Sequence, residues 1–438
     1  MPGSRRAGPW SRRAAHNMNI RSLTVGAALP QEGTARASLI GWLGSFAQAG
    51  RTALESAGFT VQTTRLSTPP LERWVETEGD KRALVASVGR ECIEAGIDYC
   101  SLGTVQAASG EDDEAIDALL EEIPGLLLAA GNVFASVQVG SRTSIGSAIN
   151  LDAVRASARI IKALAGQTAD GFGNLRFAAA ANCPPHIPFF PASYYLEDER
   201  NGGKPEFGLA LEAADLAVKA FSNARTHDEA RGNLLALLVE EGSKAVEACA
   251  ALGSEYGYTF TGLDISMAPY PEPERSIGRA LEMLSGAPLG SPGTLAAAAF
   301  FTGVLKEASK HLPTVGYSGL MLPALEDQTL ADRAAEGLVD LDTLLLLSAV
   351  CGLGLDTVPL PGDVSLAQLE RIIFDTASLA LRLDKPLTAR LLPVPGRVAG
   401  EPAEWPDFPY FARGRVMNVA EISEESSSLF SGKWVRYS

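Results

Sequence analysis

LGLDTVPLPGDVSLAQLERIIFDTASLALRLDKPLTARLLPV, residues 353–394, spells one complete structural unit. Its first eight residues are an apolar β-type run, and PLTARLLPV (386–394) is another. Between them Ser365 and Gln368 have the spacing of a capping box, and Leu369, Ile373, Ala380 and Leu383 lie on one helical face until Pro386 ends it. The order is strand, helix, strand. Continuously apolar strands joined through helices belong to a sheet whose outer face the helices cover.

The same alternation extends outward. Further strand runs are 20–29, 59–67, 97–104, 133–140, 175–183, 207–213, 258–266 and 318–325, which with 353–360 and 386–394 makes about ten. Residues 207–213 equally suit the start of a helix. Asn150 caps a helix with Leu151, Val154, Ala158 and Ile161 on its apolar face, and the helical stretch 228–252 stops at Gly253. With no linker-like stretch, residues 18–438 read as a single α/β domain, either a closed barrel or an open doubly wound sheet. Open sheets that bind dinucleotides carry a glycine-rich turn after the first strand. Here that strand runs into Ala27-Ala28-Leu29-Pro30, and there is no Walker-type lysine loop.

Composition excludes several classes. Hydrophobic residues are 46% and charged residues 20%, enough apolar material for a core. No run reaches the roughly 18 apolar residues of a membrane span, so a soluble protein without a membrane partner is expected. The net charge is −15; the first 17 residues hold four arginines and no acid, so the remainder carries −19. Such a surface repels phosphate backbones, and no nucleic acid partner is expected. The basic head, residues 1–17, lacks an export signal's apolar stretch and reads as an over-called start before Met18. Five scattered cysteines without a CxxC pair fit free thiols in a reducing cytoplasm.

Several blocks resemble a known family. NIRSLTVGAAL (19–29), ASVQVGSRTSIGSAINLDAV (135–154), GLDISMAPYPEPERSIGRALE (262–282), SGLMLPALED (318–327), AVCGLGLDTVPLPGD (349–363) and RLLPVPG (390–396) are similar, in this order, to the domain-of-unknown-function 711 family. The resemblance implies a ten-stranded α/β barrel like the glycyl radical enzyme core of pyruvate formate-lyase, with no established activity. Arg397-Val398-Ala399-Gly400 also resembles a radical glycine loop. Glu401-Pro402 follows where an aromatic residue is usual, and the prolines of RLLPVPG suit a strand end.

Candidate site residues cluster after strands. In CGLGLDTVPLPGD, Asp356, Thr357 and Asp363 stand near free N–H groups at a helix start, with Cys351 as a thiol. Asp264 and Ser266 end another strand, before a stiff proline-rich loop bearing Glu272, Glu274 and Arg275 that can hold a polar substrate or a divalent cation. Glu326 follows SGLMLPAL, and Arg142, Thr143 and Ser144 lie in a polar loop where Arg142 can grip a carboxylate or phosphate. The loop ANCPPHIPFFPASYY (181–195) suggests a lid or oligomer contact, with Cys183 and His186 as a thiol–imidazole pair. Four histidines without ligand spacing argue against zinc, and Gly316-Tyr317-Ser318-Gly319 is one residue short of a nucleophile elbow.

The expectation is a cytoplasmic enzyme, with a homo-oligomer admissible, that acts on a small anionic metabolite in a barrel-enclosed polar site. Asp264, Asp356, Glu326 and Cys351 would be catalytic, and Arg142, Thr143, Ser266, Thr357 and Asp363 would bind substrate. The rival is a metabolite-binding regulatory protein; the radical enzyme is a third reading.

Overall fold

The computed structural model describes residues 18–75, 79–108, 113–143, 146–196, 204–422 and 432–437. The basic head and Ser144 lie outside these residues. Strands β1 (Asn19–Gly26), β2 (Thr60–Ser67), β3 (Tyr99–Val105), β4 (Val133–Thr143), β5 (Gly146–Asn150), β6 (Phe177–Ala181), β7 (Glu206–Glu212), β8 (Thr259–Asp264), β9 (Gly354–Pro361) and β10 (Leu387–Val394) alternate with helices. The main sheet has the order β8-β7-β1-β2-β3-β4-β6-β10-β9, and a hairpin strand, β5, leaves β4.

Strand sense divides the sheet into two groups. β1, β2, β3, β4 and β6 are mutually parallel. β7 is antiparallel to β1 and carries β8 parallel to itself, while β10 is antiparallel to β6 and carries β9 parallel to itself. One face packs on helices: Ile20, Leu23 and Val25 of β1 share a core with Ile40, Leu43 and Phe46 of the helix Gly33–Ser56. The other face is polar, with Arg21, Ser22, Thr24, Thr63 and Arg65 all buried.

The loop 182–196 occupies that polar face instead of forming a surface lid. Ser22 and Thr24 hydroxyls each donate to the Pro188 carbonyl at 2.9 Å, and Ser101 donates to the Ser193 carbonyl at 2.6 Å. Prolines cannot donate from the main chain, so a proline-rich loop buried here needs donors for its carbonyls, and the strand hydroxyls provide them.

Local signals predict most elements. Ser365 and Gln368 make the capping box of the helix Leu366–Leu383, and Asn150 accepts from Asp152 N–H and Ala153 N–H at 3.0 and 3.2 Å. Three expectations change. The helix His227–Tyr256 passes through Gly253 and stops at Gly257 (φ 74°), one turn later. The polar loop after residue 140 is the hairpin of β4 and β5. Residues 318–325 are not a strand: Gly316 (φ 68°) and Ser318 (φ 40°) turn the chain and Pro323 lacks a donor. The longer stretch 314–323 makes one parallel bridge to each end of the sheet, Leu263 with Thr314 and Pro323 with Asp356.

The outer helices are closely packed. A Cβ on Gly44 would collide with the Ala95 carbonyl oxygen, whereas one on Gly41 of the same helix would meet nothing. Gly41→Ala should therefore stabilise the protein by about 0.5–1 kcal/mol, as helix propensity dictates. Gly44→Ala should destabilise it by about 1–3 kcal/mol despite the same propensity gain. Urea denaturation of both variants checks the opposite signs.

Candidate functional site

Strand interiors supply three arginines to one cavity. Arg21 of β1, Arg65 of β2 and Arg390 of β10 line it with Glu326, Asp356 and a wall of aromatic side chains. The space among them is about 800 Å³, counting the part open to solvent. All five charged residues are buried. A buried charge persists only when paired or hydrogen-bonded, so the pairing decides what the site can do.

Six charges alternate in a chain. Arg275 bonds to Glu212, which accepts from Arg21 Nη1 at 2.9 Å. Arg21 also bonds to Glu326, whose other oxygen accepts from Arg390 Nη2 at 3.0 Å. Arg390 closes a two-pronged contact with Asp356, Nη2 to Oδ2 at 2.9 Å. Burial opposes the charge of Arg390, but Asp356 and Glu326 outweigh it and raise its pKa.

A bulge aims Asp356. Between Leu355 and Val358 the register of β9 against β10 shifts, and Thr357 sits there at φ 47°. A β-branched residue in left-handed backbone costs about 1–3 kcal/mol, and such strain gathers at functional sites. The Thr357 hydroxyl accepts from Leu325 N–H at 3.3 Å, which ties the bulge to the segment carrying Glu326.

Arg65 stands outside the chain. Its Nε donates to Thr63 Oγ1 at 2.9 Å, and among the described residues no carboxylate pairs with it and nothing accepts from its terminal amino groups. Its guanidinium lies 5.0 Å from the Phe190 ring centroid and 5.8 Å from that of Tyr99. Burial and then the like charge of Arg21 push it down to about 10, so it stays charged at neutral pH. The cavity lining holds three arginines and two carboxylates, so it keeps one net positive charge.

The sequence-based candidates divide. Asp356 and Glu326 meet in the cavity, while Thr357 supports it from behind. Asp264 and Ser266 lie outside the lining: the Asp264 carboxylate accepts from Ser266 N–H and Oγ, Tyr317 N–H and Ser318 N–H at 2.6–3.0 Å, holding β8 to the following segment. Burial pushes this carboxyl up to about 6 despite those donors. Cys351 is buried before β9 and its sulfur accepts from Gly354 N–H, while Asp363 is exposed beyond the other end of that strand. Arg142 is an exposed partner of Asp384 at 2.7 Å; Thr143 ends β4, and its side chain is outside the described residues. Arg275 is engaged by Glu212 and Glu272.

Cys183 and His186 point apart. The thiol approaches Tyr317 Oη at 3.9 Å, and His186 Nδ1 meets Glu206 at 3.0 Å. Gly400 is a half-buried turn residue whose N–H donates to the Val416 carbonyl. Among the described residues, no group of three or more His, Cys, Asp or Glu side chains could hold a metal ion. Nor is any described helix long and apolar enough to cross a membrane.

Arg21, Arg65, Arg390 and Glu212 escape motif reading. Their signal is simple in hindsight: an arginine inside an otherwise buried strand must face a polar cavity or a buried acid.

Comparison with known proteins follows from the whole chain. The family model described as Uncharacterised ACR (DUF711) matches residues 14–409. A UPF0210 protein of Pyrobaculum aerophilum is 31% identical over 382 residues, which is 84% of this chain and 80% of that one. One from Oleidesulfovibrio alaskensis is 30% identical, covering 79% and 77%, and one from Methanopyrus kandleri is 27% identical, covering 92% of each. The chain belongs to the DUF711 family.

Removing one member of the charge chain should be costly. Glu326→Gln leaves Arg21 and Arg390 each short of a charged partner, and a loss of about 3–5 kcal/mol is expected in urea denaturation. Arg142→Ala, at an exposed pair, should stay within about 0.5 kcal/mol. Asp264 gives a pH signature. Its folded carboxyl holds a proton more tightly than the unfolded one, so its contribution is complete below about pH 4 and is lost as pH rises through about 6. Relative to Asp264→Asn, the native protein should lose stability on the order of 2–3 kcal/mol between pH 4 and 7. A flat difference would contradict this.

Proposed function

We propose that this DUF711 protein binds a small anionic metabolite in the cavity and acts on it as an enzyme, Arg65 seating the anion. One observation carries the reading: a buried guanidinium that lines the cavity and has no carboxylate of its own. Such a group is a standing binding site for an anion, because an incoming carboxylate or phosphate completes its hydrogen bonds in a low-dielectric setting. The overall acidity of the chain keeps anions off the rest of its surface, so the site depends on this local inversion of charge.

Enclosure is part of the proposal. The two bridges from residues 314 and 323 to β8 and β9 support a tenth, irregular strand that closes the sheet into a barrel. The opposed senses of the two strand groups would then meet at β7/β1 and β6/β10. A reducing cytoplasm is the compartment we propose, supported by five free, buried thiols.

In the enzyme reading Asp356 and Glu326 move protons on a substrate held by Arg65. A second reading, a metabolite-binding regulatory protein, is favoured by one fact: both carboxylates already hold arginines, which suits a rigid receptor.

Native mass spectrometry of protein purified anaerobically from its own host tests the anion site. The wild-type chain should retain a small anion that Arg65→Met loses while keeping its circular dichroism spectrum. Equal retention by both would remove Arg65 from the site. If Asp356→Asn keeps the anion yet abolishes its slow conversion, the enzyme reading holds; a wild-type protein that never converts it is a receptor.

A further inference from the structure

The cavity constrains its ligand beyond charge sign. Resting on the reading of this cavity as an anion site, we propose that the ligand is an aromatic monocarboxylate, its carboxylate on Arg65 and its ring against Phe190, Phe134 and Tyr99.

Charge selects a monoanion. Arg21, Arg65 and Arg390 face only Glu326 and Asp356 in the lining, so one negative charge balances the cavity. A phosphate group carries about −1.5 to −2 at neutral pH. Its excess charge would lie near Glu326 and Asp356 in a poorly solvated space, where like charges repel strongly. A carboxylate matches the free guanidinium edge as a two-oxygen acceptor.

Ring geometry selects an aromatic body. Phe134 meets Tyr99 at a centroid distance of 5.3 Å and 73°, and Phe190 at 5.4 Å and 58°. These crossed rings begin an edge-to-face array beside the Arg65 guanidinium, and one more ring extends it at the spacing aromatic pairs prefer. Met321 and Leu353 also line the cavity, and a thioether is a favourable neighbour for a ring. A short acid such as acetate satisfies Arg65 and leaves this wall without a partner.

Calorimetric titration of the full chain with benzoate, phenylacetate, cyclohexanecarboxylate, acetate and inorganic phosphate tests the assignment. Benzoate or phenylacetate should bind at least tenfold more tightly than each of the other three. Phe190→Ala should cost the aromatic acid at least tenfold more than it costs acetate, and Arg65→Met should abolish carboxylate binding. Should Arg65→Met fail to fold by circular dichroism, Arg65→Lys replaces it, with at least a tenfold loss expected at this two-pronged contact. Phosphate as the tightest ligand, or acetate or cyclohexanecarboxylate matching benzoate, overturns the aromatic assignment while leaving an anion site. Absence of binding by all five overturns the assignment and the anion site together.

Discussion

Alternating charge inside the sheet is the constraint on which the rest of this molecule depends. Six side chains from β7, β1, β9, β10 and two connecting segments form one row of alternating charge, from Arg275 to Asp356. Each ion was taken out of water at a cost of several kcal/mol, and only a neighbour of opposite sign recovers it. The row therefore tolerates little displacement of the elements that carry it. Through Glu326 it joins β1 and β7 to β10 and β9, and the segment before Glu326 makes one bridge to each end of the main sheet. Arg65 lies beside this row without belonging to it, and so the same constraint that organises the fold leaves one buried charge without a carboxylate partner.

A second device shapes the interior. The loop 182–196 lies on the polar faces of the parallel strands, its carbonyls met by Ser22, Thr24 and Ser101. Phe189 and Phe190 from this loop face the arginine cavity, while His186, Ile187 and Pro188 face a smaller one. The loop divides the interior and furnishes an aromatic wall for each part. This explains why prolines and aromatics crowd one short stretch: a buried loop needs apolar surface and few unmet donors.

Elements with local causes were legible. The capping box at Ser365, the cap at Asn150 and nine of the ten strand runs follow from spacing within a few residues. Residues 318–325 are apolar enough for a strand, but positive φ at Ser318 and the missing donor of Pro323 leave only a single bridge, at Pro323. Gly253 resembled a helix stop, yet it is buried within a continuing helix that ends at Gly257. Of the proposed acids, Asp356 and Glu326 lie together, whereas Asp264 is consumed by four local donors. An acid at a strand end reads the same in either role.

Alternation, caps and composition were sufficient for an α/β chain with a helix-covered sheet, an acidic surface and free thiols, because each is a short-range or additive property. The site is neither. Its defining contacts join residues 191, 305 and 64 positions apart, and Arg65 matters because none of these partners reaches it. Electrostatic pairing depends on distance in space, which the folded chain alone sets.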